Sequence, residues 1–230
     1  MSKKYIIMSD EKPDINESIS FTYNIIPTDT INELLPFERR HADMQCLRIN
    51  DTFFVLKEAV NLQNKLRSLG LNVITTEEDI SSEYPKNVLL NAVYMKDKLY
   101  CKIESIADIV KEYCKKHGIK LINVKQGYTK CSAAVLCKYF ITADKRIFEV
   151  LTANGVEGLL IDSGDIGLDG VDYGFIGGSS FFDNDTAYFT GDITQHKSYR
   201  LIKIFLIEKG IKIVSLCKNR IYDIGGFIVI

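Results

Sequence analysis

No run in this 230-residue chain is apolar for long enough to span a membrane, and Lys3-Lys4 precedes only four apolar residues before Ser9-Asp10-Glu11. Neither a spanning helix nor an export leader is therefore expected, which points to the cytoplasm. Charge of one sign is also missing: 29 basic residues stand against 30 acidic ones, a formal net charge of −1. Nothing in that balance attracts nucleic acid or anionic membranes over distance. The six cysteines (46, 101, 114, 131, 137 and 217) include no C-x-x-C pair, so reduced structural thiols are the expectation and a cysteine metal site is not. There is no G-x-x-x-x-G-K-[ST], no H-E-x-x-H and no G-x-S-x-G. The glycines of GFIGGSS (174–180) precede a strand pattern and open no helix, so neither a phosphate cradle nor a cofactor is implied. The Asp- and Gly-rich stretch 163–174 fails the spacing of a calcium loop and reads as a long loop at the mouth of a ring-shaped fold. No linker or low-complexity segment divides the chain, and one domain over residues 1–230 is expected.

What the chain does contain is a phrase repeated four times, a glycine followed by alternating apolar residues: SLG-LNVITT at Gly70, KHG-IKLINV at Gly118, ANG-VEGLLI at Gly155 and EKG-IKIVSL at Gly210. Each is preceded by two strand-like runs and a helical run. The pairs are 44–49 with 52–57, 88–95 with 98–102, 131–137 with 140–144, and 174–182 with 186–191. Short polar junctions between paired runs signal hairpins, and a glycine just past a helix supplies the left-handed residue that ends it. The unit is strand, strand, helix, strand, and such self-similarity marks a repeat architecture. A fifth unit assembles from the two ends: a strand in 220–230, strands at 5–8 and 21–26, and a short helix at 13–18 that lacks the glycine. Pairing of the last strand with the first would leave no exposed sheet edge. The expected fold is α/β, about five such units in a closed ring.

Several segments carry a resemblance: HADMQ (41–45), EYPKNVLLN (83–91), VKQGYTKCS (124–132), ITADKRI (141–147), DYGFIGGSS (172–180), FTGDI (189–193) and DIGG (223–226). As a set they resemble a family of small bacterial proteins of unknown function, with His41-Ala42-Asp43 where that family tends to have His-Pro-Asp. The five-unit architecture is similar to the pentein α/β-propeller of arginine deiminases, amidinotransferases and dimethylarginine hydrolases, a fold that also hosts a non-catalytic ribosome-binding factor. The resemblance implies an axial site in which a cysteine attacks a guanidinium carbon, a His-x-Asp pair moves protons and carboxylates hold the cation.

Such chemistry needs these residue types. A planar cation is held by acidic groups, and its resonance-stabilised carbon yields only to a thiolate with an acid and base at hand. At the expected strand entrances lie His41, Asp43 and Cys131 as catalytic candidates, and Asn91, Lys130, Ser179 and Asp223 as substrate-binding ones. Lys130 beside Cys131 can favour the thiolate, and a Cys131 that serves as nucleophile is expected to be labelled by a mild electrophile before the other five cysteines. Each candidate has a plainer reading. Cys131 also fits a buried small hydrophobe, His41 with Asp43 a loop anchor, Asp223 an aspartate bonding its own turn, and Asn91 a structural amide. His117 and His196 are expected in solvent. Carboxylates are fewer than in the deiminases, with no Gly-Glu step at a strand start. Two functions follow: an axial site for a small cationic or guanidino ligand, worked by a cysteine hydrolase or amidinotransferase, or a non-catalytic scaffold for a protein partner that the sequence does not identify.

Overall fold

A computed structural model describes residues 3–230. The unit expected at Gly70 consists of a helical turn α2 (Ala42–Gln45), strands β3 (Cys46–Ile49) and β4 (Thr52–Val55), helix α3 (Val60–Ser68) and strand β5 (Asn72–Thr75). The next has β6 (Val93–Met95), β7 (Lys98–Cys101), α4 (Asp108–Lys116) and β8 (Lys120–Asn123). The third opens with a helical turn α5 (Thr129–Ser132) and continues through β9 (Ala133–Leu136), β10 (Tyr139–Thr142), α6 (Lys145–Ala153) and β11 (Glu157–Leu160). The fourth comprises β12 (Ser180–Asp183), β13 (Thr186–Phe189), α7 (Tyr199–Glu208) and β14 (Lys212–Ser215).

Each unit makes its own three-stranded sheet with the middle strand antiparallel to the first and parallel to the third, as in Leu47↔Phe54 and Phe54↔Ile74. A fifth sheet takes its strands from both ends of the chain. Strand β1 (Lys4–Met8) lies parallel to β2 (Tyr23–Pro27) and antiparallel to the C-terminal β15 (Ile228–Val229), with Ile6 opposite both Ile25 and Val229. Between β1 and β2 runs α1 (Pro13–Ser20). Among the described residues no helix is long and apolar enough to cross a membrane.

The repeated glycine has one local cause in all four units. Each helix buries a pair four residues apart: Leu62 and Leu66, Val110 and Cys114, Ile147 and Leu151, Ile202 and Leu206. The glycine follows four residues after the second member. At the end of α6, Gly155 sits at φ +80° and donates to the Thr152 carbonyl at 2.9 Å, while the Val156 N–H reaches back to the Leu151 carbonyl at 3.0 Å. These paired bonds close the helix and aim the next strand at the sheet. Helix α1 buries Ile15 and Ile19 at the same spacing but is followed by Phe21 in right-handed conformation, so its end needs no glycine. No atom lies within 4 Å of where a Cβ on Gly155 would be. Gly155→Ala is therefore expected to cost only the left-handed strain, about 1 kcal/mol, measurable as a shifted denaturant midpoint with unchanged slope.

The first strand of all four units is shorter than expected. Residues 44–45 and 131–132 fall in the helical turns α2 and α5, 88–92 precede β6, and 174–179 precede β12. With strands of only three or four residues, the chemistry-bearing side chains sit on the turns that feed them. Cys137, expected as the end of a strand, is a turn residue at φ +59° and is exposed.

Candidate active site

Two of these turns and two glycine loops meet around Cys131. His41 precedes α2 in extended conformation, and Asp43 in the first turn donates its N–H to the Gly225 carbonyl at 2.9 Å. Gly225 packs directly on the histidine: a Cβ there would lie 2.2 Å from that of His41, and its φ of +79° already excludes most side chains. The GFIGGSS glycines work the same way. A Cβ on Gly178 would stand 1.9 Å from Asp223 Oδ1. Without one, the Gly178 N–H reaches the Cys131 carbonyl at 3.1 Å, and its own carbonyl accepts from Ile224 and Gly226 at 3.0 and 2.8 Å. The glycines allow three backbone segments to approach one another.

Asn91 knits the catalytic candidates together. Its Oδ1 accepts from the Lys130 N–H at 2.7 Å, and its Nδ2 donates to Cys131 Sγ at 3.0 Å and to the Asp43 carbonyl at 3.2 Å. Asp223 accepts the Gly225 N–H on Oδ1 at 2.9 Å and the Phe175 N–H on Oδ2 at 2.8 Å. Its turn-bonding role and its place in the site coexist.

A cavity of about 350 Å³ is lined by His41, Cys131 and Asp223 together with Phe37, Glu38, Met44, Tyr128, Leu168, Val171, Asp172, Tyr173 and Phe175. Three of the seven candidates thus share its wall, although they lie far apart in the chain. Asn91 stands behind Cys131. Asp43 and Lys130 line a different cavity of about 230 Å³, with Arg48. Ser179 is set apart: it is fully buried, its hydroxyl donates to the Ile176 carbonyl at 3.1 Å, and it lines neither cavity. The tight Gly177-Gly178 loop turns that hydroxyl back on its own segment.

Sequence reasoning missed Glu38. This carboxylate is buried at the cavity wall, where Tyr128 Oη donates to Oε1 at 2.6 Å and Asn87 Nδ2 approaches Oε2 at 3.2 Å. Only its position three residues before His41 in the same loop could have signalled it. The loop 163–174 does reach the site, bringing Leu168, Val171, Asp172 and Tyr173 to the cavity.

The electrostatics reverse one expectation. Burial pushes the Cys131 thiol well above its ordinary value, and the carboxylates of Asp43 and Asp223 push it further; only the Asn91 amide opposes them appreciably. Lys130 does not prevail, because burial and two anions outweigh one ammonium whose side chain belongs to another cavity. Asp43 is itself raised to about 6, first by burial and then by Asp223, with His41 partly offsetting them. Neither of its carboxylate oxygens has a hydrogen-bond partner. The site holds a neutral thiol in an acidic cavity with four aromatic side chains in its wall, Phe37, Tyr128, Tyr173 and Phe175. Iodoacetamide is accordingly expected to modify exposed Cys137 first and to leave Cys131 for last or nearly so, which peptide mapping over time would check.

His196 also departs from expectation. It is buried, its Nδ1 accepts the Ser198 N–H at 3.0 Å, and its Nε2 has no partner, while burial holds its pKa below the usual value. The loop 163–174 and the start of α7 remove it from solvent; His117 remains exposed, stacked on Tyr113. Among the described residues, no group of three or more His, Cys, Asp or Glu side chains is arranged to hold a metal ion.

Five three-stranded sheets of this order give the chain a fold similar to that of pentein-fold structures already solved. A cysteine-to-serine mutant of DDAH from Pseudomonas aeruginosa, complexed with citrulline, matches over 100% of both chains with a TM-score of 0.59 at 11% identity. The N-terminal domain of ArgZ, a cyanobacterial arginine dihydrolase, bound to product, matches 98% of this chain and 95% of its own at 0.58 and 12% identity. Agmatine deiminase from C. jejuni matches over 94% and 87% at 0.54 and 12%. The chain belongs to a family of unknown function (DUF6873), whose model covers residues 7–228. No curated protein matches it in sequence.

Proposed function

We propose that this protein hydrolyses a guanidino compound through Cys131, and that its five sheets are blades of one ring-shaped domain spanning the chain. The observation that carries the chemical reading is the shared cavity wall of Cys131, His41 and Asp223, with Glu38 and Asp172 adding acidic groups. Supporting it, the solved structures of similar fold are described as holding citrulline, or as acting on arginine or agmatine. The common strand order of the five sheets and the pairing of β15 with β1 support the ring.

The field explains why a cation is required. Burial first, and then the carboxylates of Asp43 and Asp223, hold the thiol protonated, and a guanidinium seated among Asp223, Glu38 and Asp172 cancels part of the carboxylate field. The thiol proton then passes to a base of the site, and Sγ bonds to the guanidinium carbon. His41, at the cavity wall, gives a proton to the departing nitrogen as the C–N bond breaks. Water adds to the same carbon, the C–S bond breaks, and a ureido product leaves with the thiol restored. An amine in place of water would make the reaction an amidinotransfer.

The test is a screen of arginine, agmatine, methylated arginines, simple alkylguanidines and guanidino acids for ureido product and released ammonia or amine, with melting measured in parallel. Turnover of any of them supports the reading. No turnover and no ligand-induced rise in melting temperature would overturn it in favour of a non-catalytic scaffold, in which the raised Cys131 thiol and its Asn91 bond are structural. A cytoplasmic location remains part of the proposal.

A further inference from the structure

Resting on the guanidino reading above, we infer that the substrate carries its guanidinium on a tail without a carboxylate, either plain hydrocarbon or amine-bearing. The observation is the charge inventory of the place where the tail must lie. Glu38, Asp172 and Asp223 line the cavity around Cys131, His41 is its only potential cation, and no lysine or arginine among the described residues reaches its wall. A substrate carboxylate is normally met by an arginine fork or a lysine, and here it would face three acidic groups.

The adjoining space does not supply the missing cation. A larger cavity of about 630 Å³ shares Phe37, His41, Leu168 and Asp223 with the first, and its one basic side chain is Lys12. That ammonium lies 3.7 Å from the centre of the Tyr222 ring and 3.6 Å from Asp169 Oδ2, so its charge is partly offset where it stands. The same space adds Glu11 and Asp169. A tail extending in this direction meets more negative charge, which favours an amine at its end. The walls agree with a cationic or apolar tail: Phe37, Tyr128, Tyr173 and Phe175 line the cavity, and aromatic rings suit both methylenes and positive charge.

Asp172 is the residue that tests this cleanly. It lies on the exposed loop 163–174, whereas Glu38 is buried and bonded to Tyr128 and Asn87. Replacing Glu38 therefore risks the fold, and replacing Asp172 does not.

Calorimetric binding to the full-length Cys131→Ser protein would compare agmatine, butylguanidine, arginine and 3-guanidinopropionate. Agmatine and butylguanidine are expected to bind at least about tenfold more tightly than the two carboxylates, since like charge opposed across a site is strongly penalised. In Asp172→Asn, agmatine should weaken several-fold and arginine should gain, with butylguanidine changing least. Arginine or 3-guanidinopropionate binding as tightly as agmatine would overturn this inference and leave the guanidino reading standing. If none of the four binds, the guanidino reading itself falls and this inference goes with it.

Discussion

The Cys131→Ser protein is expected to melt where the parent does and to form no ureido product. A hydroxyl in place of the thiol can still accept the Asn91 Nδ2 hydrogen bond that reaches Sγ at 3.0 Å, and the change in volume is small. The melting temperature should stay within about 3 °C. Turnover of whichever guanidino compound the wild type accepts should drop by roughly a thousandfold or more, because a hydroxyl is a far poorer nucleophile near neutral pH and the two-step path through a covalent intermediate is lost. Undiminished turnover would remove Cys131 from the chemistry. A large loss of stability would assign it to the core, where Cys101 and Cys114 already serve. The wild-type rate should also rise with pH as the thiol and its proton acceptor titrate, since burial and two carboxylates keep the resting thiol neutral.

Much of the fold was legible because its cause is local. A buried pair four residues apart and a left-handed glycine four residues later can be read from a dozen residues, and this happens at Gly70, Gly118, Gly155 and Gly210. The fifth sheet lacks that signal. It was inferred from the leftover strands at the two ends, and the pairing of Ile6 with Val229 joins them. The site was less legible, because its groups come together only through tertiary packing. His41, Cys131 and Asp223 were singled out by residue type and position and do reach one cavity wall. Ser179 looked equivalent, but a loop of two glycines folds its hydroxyl back onto the Ile176 carbonyl. Glu38 sits in no periodic pattern and gains its importance from Tyr128 and Asn87, both remote in sequence. The charge state of Cys131 is not legible in the sequence for a related reason. Adjacency along the chain favoured Lys130, whereas the field is set by burial and by carboxylates from other units.

Asp43→Asn should stabilise the protein at alkaline pH while disabling it. The carboxyl of Asp43 is fully buried, neither oxygen has a hydrogen-bond partner, and its pKa is raised from 3.8 to about 6, chiefly by burial and then by Asp223. A group whose pKa is higher in the folded state than in the unfolded one favours folding while it is protonated. That contribution is whole below pH 3.8 and is lost as pH rises through 6. At pH 8 the ionised side chain therefore costs the fold on the order of 2–3 kcal/mol. An asparagine of nearly the same shape cannot ionise. Wild type and variant should melt together near pH 4 and separate as pH rises, until the variant leads by roughly 5–10 °C at pH 8. A bound guanidinium should narrow that gap, because positive charge beside Asp223 offsets the part of the Asp43 shift that Asp223 causes. Activity should fall steeply in the variant, since His41 loses the acidic member of its His-x-Asp pair. If the variant instead melts lower than wild type at pH 8, Asp43 is already compensated in the free protein, and the reading of its raised pKa as stored electrostatic strain awaiting a cation is wrong.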